Sequence, residues 1–265
     1  MKGFVKKLTP ANIITAILLM VLLVPILILI PVSLSPTTFI VFPITEFSTQ
    51  WYTDLFTDPE WALAFKNTMI IAVFTTVFSL ILGVIIAAGL NTLKRKVRMI
   101  ATEYFRLPQS VPIIVTAIAM YSLLSSLKLA GTLPGLIICH TMVAIPFVVT
   151  TVSAGLSKIG DQYEMAAINL GAGKIRSFKD IVLPMLLPSI GSAALFAFLT
   201  SFDEIAITLF VVSPSVITLP MKMYDGINQS IKPTLAALST IIIAVVALGF
   251  ITSGIIQIIR QKKHR

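Results

Sequence analysis

The sequence contains little charge, little histidine and almost no cysteine. Only 12% of its 265 residues are charged, and the mean hydropathy is +0.98. Water-soluble domains carry about 25% charged residues, so this composition excludes an ordinary soluble globule. The single cysteine excludes a disulfide framework and any site built from several cysteines, and the high apolar content excludes a disordered chain.

Patterns typical of catalysis and nucleotide binding are also missing. A faint phosphate-loop pattern has Ile168 in place of its first glycine and Ile175 in place of its final hydroxyl residue. Cys139 and His140 lie in an apolar run, and with His264 the only other histidine they supply no metal-ligand set. We therefore predict a chain that is not an enzyme, binds no metal or cofactor, and uses His140 as a packed, hydrogen-bonded residue.

Long apolar runs dominate what is present. Six runs are long enough for the roughly 20 residues that a membrane-spanning helix needs. They are continuously apolar, whereas the strands of a membrane β-barrel would alternate in polarity. The sequence therefore predicts an all-α, polytopic membrane protein with six transmembrane helices. The predicted spans are residues 11–35, 67–90, 110–127, 133–156, 188–212 and 233–259.

Basic residues are distributed unequally among the connections between these spans. When the N-terminus is placed in the cytoplasm, sixteen of the twenty lysines and arginines lie inside, as the positive-inside rule requires. The four outside are Lys66, Lys128, Lys222 and Lys232. The net charge of +9 then reflects basic loops that face an anionic membrane leaflet, and nucleic-acid binding is not expected. We predict that both termini are cytoplasmic.

The connections leave no room for a separate soluble domain. The longest connection has about thirty residues, so we expect one transmembrane domain over residues 1–265. No small-x-small cleavage site follows the first apolar run, which favours an uncleaved anchor. Residues 37–60 mix acidic and aromatic side chains, and the sequence leaves open whether they form an interfacial or re-entrant stretch or a plain loop.

The connection between the fourth and fifth spans carries the most informative pattern. Asp161 can cap a short helix with Glu164 as its capping-box partner, and Gly171 suits a left-handed C-terminal stop. Four residues recur at the spacing of one helical face: Tyr163, Ala166, Ala167 and Leu170. This flat apolar face suits the groove of a partner protein, and burial against the chain's own bundle or against lipid is the alternative.

A second short amphipathic stretch follows this predicted helix. Its apolar residues show the same helical spacing: Phe178, Ile181, Val182 and Met185. Pro184 and Pro188 then interrupt the backbone hydrogen bonding, so we expect a bend where the chain enters the fifth span.

Two adjacent acids lie inside the fifth apolar run. Asp203 is fourteen residues beyond Ser189, or about 21 Å along a helix, which places it in the outer half of the membrane. A charge near the centre of a spanning helix costs roughly 2.5–3.5 kcal/mol, so Asp203 and Glu204 need water, a protein partner or a cation.

Two interpretations of this acidic pair remain open. The acids can line a pathway for a cationic solute, helped by aromatic faces that attract protonated amines. The aromatic candidates are Phe198, Phe202 and Tyr224. Alternatively, the acids are structural and are held by Ser201, Thr208 or a neighbouring subunit.

The loop between the fourth and fifth spans resembles the EAA loop of ATP-binding cassette importer permeases. The matching positions read Ala166-Ala167-x3-Gly171-x9-Ile181-x-Leu183-Pro184. The family's glutamate is replaced by Met165, with Glu164 beside it. The resemblance implies a type I importer permease architecture with a cytoplasmic coupling loop at about residues 157–184. It also implies that a separate ATPase subunit is contacted by Glu164, Ala166, Ala167 and Gly171.

Within that family the sequence is most similar to spermidine/putrescine permeases. The similar segments are Ser201-Phe202-Asp203-Glu204, Thr208-Leu209-Phe210, Thr218-Leu219-Pro220 and Met223-Tyr224-Asp225-Gly226-Ile227. This resemblance implies import of polyamines across a bacterial inner membrane, with Phe202, Asp203, Glu204 and Tyr224 as pathway residues. The implied partners are two copies of an ATPase, a second homologous permease, an exoplasmic solute-binding protein and membrane lipid.

Other functions remain as alternatives. The chain can be a permease for another small organic solute, an ATPase-independent secondary transporter or cation channel, or a structural anchor. A secondary transporter needs ion-coupling groups, and only Asp203 and Glu204 are available in the spans. An anchor leaves both the loop pattern and the acids without a purpose.

Overall fold

A computed structural model describes residues 10–39, 42–211, 213, 216–229 and 232–263. Within those ranges every regular element is helical, which confirms the all-α prediction. Five helices are long and apolar enough to cross a membrane, and a bent helix pair supplies a sixth span if it is counted as one. The chain forms two compact units, Met1–Ala62 with Met223–Arg265, and Leu63–Lys222.

Twelve α-helices and two short non-α turns form the described part of the chain. A 3₁₀ turn at Leu107–Ser110 precedes the fifth helix, and a π-helical turn at Phe178–Val182 precedes the ninth. The helices are α1 (Pro10–Val32), α2 (Gln50–Thr57), α3 (Pro59–Asn91), α4 (Arg95–Arg106), α5 (Ile113–Ser126), α6 (Leu133–Ile159), α7 (Gln162–Asn169), α8 (Lys174–Ser177), α9 (Leu183–Phe202), α10 (Ala206–Val211), α11 (Leu219–Gln229) and α12 (Thr234–Lys263).

In the first unit, the segment after α1 folds back onto the end of that helix. The indole Nε1 of Trp51 donates to the carbonyl oxygen of Ser35 at 2.7 Å, and the hydroxyls of Tyr52 and Ser33 lie 2.7 Å apart. Trp51 and Leu55 are buried, and α2 packs against α12. The described part of the 37–60 segment therefore consists of loop, a docked helix of eight residues and the first two residues of α3.

In the second unit, α6 is the central helix and packs along α9. Thr132 caps α6 by accepting the Gly135 N–H at 3.1 Å, and Gly160 with φ of 72° follows its last residue. Small residues on both helices let the backbones approach closely, as is usual where spanning helices meet. At the closest point, a Cβ on Gly155 would collide with the side chain of Ser189.

The third predicted span, residues 110–127, is shorter and more bent than expected. Its helix α5 has 14 residues and is therefore only about 21 Å long. The α4 segment and the 3₁₀ turn meet α5 at 90°. Pro108 and Pro112 explain this angle, because proline lacks an N–H and forces the preceding residue out of the helical region. Val111 accordingly has the extended angles φ −80° and ψ 134°.

The fifth span departs further from the prediction of residues 188–212. The span of suitable length and hydropathy covers Lys174–Phe202, so it begins and ends earlier than predicted. The helix ends at Asp203, and α10 is a separate helix that packs against α5 and α6. Ile207 and Val211 of α10 are buried in that contact, which explains why this stretch is apolar without belonging to the span.

The π-helical turn before α9 changes which side chains of the second amphipathic stretch are buried. Pro184 cannot donate the backbone hydrogen bond that an α-helix requires, and the wider turn lies just before it. The turn adds one residue to the helical register. Val182 is buried as predicted, but Met185 is exposed and Leu186 occupies the core position instead.

The close contact between α6 and α9 gives a test of this packing. We expect Gly155→Ala to lower the free energy of unfolding by about 1–3 kcal/mol, because the added methyl overpacks the contact with Ser189. Gly191→Ala on α9 is the matched control, since a Cβ there meets no atom within 4 Å. Thermal unfolding of both purified variants measures the difference, and equal stabilities would contradict the proposed contact.

Candidate functional site

The short helix α7 ends in a sharp, fully hydrogen-bonded turn. Gly171 has φ of +92°, a backbone conformation that favours glycine. The Gly171 N–H donates to the Ile168 carbonyl oxygen at 2.9 Å, and the Ala172 N–H donates to the Ala167 carbonyl oxygen at 3.0 Å. These two bonds form a Schellman motif, so Gly171 is confirmed as the left-handed stop of the helix.

The N-terminus of α7 differs from the predicted capping box. Asp161 has helical angles, φ −81° and ψ −9°, and its side chain makes no capping hydrogen bond. A capping side chain normally requires extended backbone angles at that position, so this conformation turns the carboxylate away. The Glu164 side chain makes no reciprocal bond to Asp161. The backbone carbonyl oxygen of Glu164 accepts a hydrogen bond from the Ser177 hydroxyl at 3.4 Å.

The predicted apolar face of α7 is divided between the protein and its surroundings. Ala167 is buried, whereas Tyr163, Ala166 and Leu170 are exposed, with 90% of Leu170 accessible. Ile175, on the following helix α8, is 86% exposed and was not among the predicted site residues. The signal that could have found Ile175 is an isolated apolar residue in the basic segment Lys174–Ser177. The helices α7 and α8 contact each other, and exposed apolar side chains on neighbouring helices are typical of a surface that a partner covers.

The two acids lie at a break in the chain and not inside a continuous helix. Asp203 is the residue that ends α9, and its side chain is exposed. The Glu204 Oε1 accepts the backbone N–H of Ile207 at 2.9 Å, in the first turn of α10. Glu204 therefore caps α10, and its negative charge lies where the helix dipole favours an anion. This geometry lowers the cost of placing two acids in an apolar region.

A buried histidine fixes both sides of this break. The His140 Nδ1 lies 2.9 Å from the Ser201 hydroxyl, and its Nε2 lies 3.3 Å from the Thr208 hydroxyl. His140 is 2% exposed, so its predicted packed, hydrogen-bonded role is confirmed. Ser201 and Thr208 bind this imidazole and do not hold the acidic side chains, although the Thr208 hydroxyl donates to the Glu204 carbonyl oxygen at 3.1 Å.

The predicted aromatic residues belong to different parts of the molecule. Phe202 is half-buried and stacks on Phe198, with ring centroids 5.8 Å apart and planes 20° apart. It adjoins Asp203 at the end of α9. Tyr224 lies on α11 in the other compact unit, where it is exposed. Phe202, Asp203 and Glu204 are consecutive residues of the second unit, and Tyr224 is assigned to the first.

The chain matches a known family over most of its length. The family model described as binding-protein-dependent transport system inner membrane component covers residues 79–265, and the chain belongs to this family. It is a multi-pass inner-membrane permease subunit of an ABC importer, a class that works with ATPase and solute-binding protein partners.

Individual relatives support the same class. The chain is 28% identical over 235 residues to the spermidine/putrescine transport system permease protein PotC of Escherichia coli (strain K12), covering 89% of each chain. It is 31% identical to the putrescine permease PotI of that strain, covering 77% of this chain and 75% of the relative. A bacterial ABC transporter that imports alginate shares the fold, with a TM-score of 0.68 at 16% identity, covering 93% of this chain and 94% of that one.

The capping role of Glu204 can be separated from its charge. We expect Glu204→Ala to destabilise the protein by about 1 kcal/mol, because the Ile207 N–H loses its acceptor. Glu204→Gln keeps an acceptor oxygen without the charge and should retain most of the stability. Asp203→Ala is the control, since the Asp203 side chain makes no such cap. Thermal unfolding of the three variants is the measurement, and a glutamine variant as unstable as the alanine variant would refute the capping role.

Proposed function

We propose that this chain is the permease subunit of a polyamine importer and couples ATP hydrolysis by a separate ATPase to solute movement. The chain itself hydrolyses nothing in this proposal. The observation that carries the coupling role is the exposed apolar surface of α7 and α8 beside a fixed Schellman turn. The proposal also draws on the similarity to PotC and PotI, whose names specify spermidine and putrescine.

In this proposal α7 is the coupling helix. Ala166 and Gly171 carry little or no side chain, so an ATPase groove can approach the backbone while Tyr163 and Leu170 enter apolar pockets. Ala167 and Glu164 face the permease and transmit movement to its bundle. The route to the spanning helix is short, because α8 and the π-helical turn lead directly into α9.

The proposed mechanism is alternating access. ATP-driven closure of two ATPase copies moves the α7 helices of this chain and of a second, homologous permease. The spanning helices then reorient around the solute, which an exoplasmic binding protein delivers. This arrangement requires α7 and both termini to be cytoplasmic, as the distribution of basic residues predicts.

The polyamine assignment is supported by the exposed carboxylate of Asp203. Asp203 ends a spanning helix directly after Phe202 in the sequence, and protonated amines gain free energy from carboxylates and from aromatic faces. Glu204, half-buried at the same break, adds a second negative charge, and Tyr224 is the further aromatic candidate. The chain is also 28% identical to the sulfate permease CysT of Salmonella typhimurium, covering 68% of this chain. A sulfate ion would be repelled by this acidic break, which favours a cationic solute.

The turn after α7 provides a test of coupling. We expect Gly171→Val to abolish most of the solute-stimulated ATP hydrolysis, because a β-branched residue at φ of +92° distorts the turn. Gly173→Val is the matched control, since Gly173 has φ of −68° and open space around it. Hydrolysis by the reconstituted complex is measured, with size-exclusion chromatography to confirm assembly. Full coupling in the Gly171 variant would contradict the role of α7.

The acidic break provides a test of the solute. We expect Asp203→Asn to lower the efficiency of putrescine uptake about fivefold, since one charge interaction with a divalent amine is lost while the side-chain volume is kept. Uptake of labelled putrescine into proteoliposomes is the measurement, with Lys66→Gln as a control for a general charge effect. Unchanged uptake in the Asp203 variant would remove the cation-lining role, and transport of sulfate would redirect the proposal to an anion permease.

A further inference from the structure

The amphipathic helix α4 forms a groove with one side of α6. The groove has a volume of about 710 Å³ and lies within the second compact unit. Its polar lining consists of guanidinium groups and the Glu103 carboxylate from α4, and of hydroxyl groups from both helices. The residues used below are Arg95, Arg98, Arg106, Thr102, Thr150 and Ser153.

The orientation of α4 places this groove at a membrane surface. The helix meets α5 at 90°, so it runs across the direction of the spanning segment. Val97 and Tyr104 are two helical turns apart on one face and are both more than half exposed, and Ile100 lies at the edge between this face and the groove. A helix with such an apolar face and a basic opposite face lies in the interface between headgroups and acyl chains.

The groove carries an excess of positive charge. Arg106 forms an ion pair with Glu103 at 3.0 Å, and Arg98 donates to the Asn91 side-chain oxygen at 2.6 Å. Arg95 makes no ion pair with any carboxylate of the described residues. The groove thus contains three guanidinium groups and one carboxylate, and the guanidinium N–H donors of Arg95 are available to a ligand.

Ser153 supplies a second, independent observation. Its hydroxyl oxygen is buried and has no hydrogen-bond partner. By contrast, the Thr102 hydroxyl in the same lining donates to the Arg98 carbonyl oxygen of its own helix. A buried hydroxyl without a partner costs about 1–3 kcal/mol of folding free energy, so a ligand that accepts a hydrogen bond from Ser153 would remove this cost.

We infer that the groove binds the phosphate-bearing headgroup of an anionic phospholipid. Phosphate oxygens accept hydrogen bonds from guanidinium groups and from a serine hydroxyl, which matches both unsatisfied features. The exposed apolar residues Met99 and Ile100 of the lining favour a lipid over free phosphate, because acyl chains need such a surface. The distribution of basic residues assigns this lipid to the cytoplasmic leaflet. The site is independent of the transported solute.

Native mass spectrometry of the assembled, purified complex tests this site. The complex is released from mixed micelles that contain equal amounts of phosphatidylglycerol and phosphatidylcholine. We expect preferential retention of phosphatidylglycerol by the unaltered complex, about fivefold weaker retention in Arg95→Gln, and about tenfold weaker retention in Ser153→Ala. Lys158→Gln, an exposed basic residue of α6 outside the groove, is the charge control and should not alter retention.

The alternative occupants give different results. Equal retention of both lipids, or the same loss in the Lys158 variant, would overturn the inference. Displacement of phosphatidylglycerol by millimolar inorganic phosphate, which binds in its place, would reassign the groove to a free anion. Absence of retained phosphatidylglycerol from the assembled complex would mean that the groove is closed to lipid and would also overturn the inference.

Because Ser153→Ala removes a hydroxyl that has no partner, this variant should have unchanged or slightly higher thermal stability in lipid-free detergent. Misfolding therefore cannot explain its effect on lipid retention.

Discussion

The hydrogen bonds of His140 to Ser201 and Thr208 connect three helices of the second unit, α6, α9 and α10. In an apolar membrane environment a polar group without a partner is costly, so the imidazole and both hydroxyls must stay bonded to one another. Ser201 lies one residue before the end of α9, and Thr208 lies in α10. The imidazole on α6 therefore holds the chain on both sides of the break, and the break in turn determines where the two acids lie.

The acids and the break stabilise each other in a way that a continuous helix could not. In an unbroken helix, Asp203 and Glu204 would point in directions about 100° apart and both would need partners within the bundle. With the helix ended, Asp203 is exposed and Glu204 uses its carboxylate to cap α10. Asp203 thus remains accessible while Glu204 has a structural role, and this cap differs from the predicted support by Ser201 or Thr208.

The sequence predicted an all-α chain of apolar spans, the stop at Gly171 and the packed role of His140, because each depends on a local pattern or on composition. It did not predict the boundaries of the fifth span, since hydropathy cannot distinguish an apolar helix in the bilayer from one, such as α10, buried against α5. The capping box failed because Asp161 adopts helical backbone angles, and residue identity alone does not determine those angles. Exposure of Leu170 and Ile175 also depends on tertiary packing, which helical spacing does not reveal.

The π-helical turn at Phe178–Val182 has a mechanical consequence. It contains one residue more than an α-helical turn, so the side chains before it are rotated by about 100° relative to a continuous helix. If one residue were removed from this turn, α9 would still pack on α6 through the same side chains. The segment containing α7 and α8 would instead be rotated about the axis of the span. The direction in which α7 and α8 project from the span is therefore set by a single additional residue.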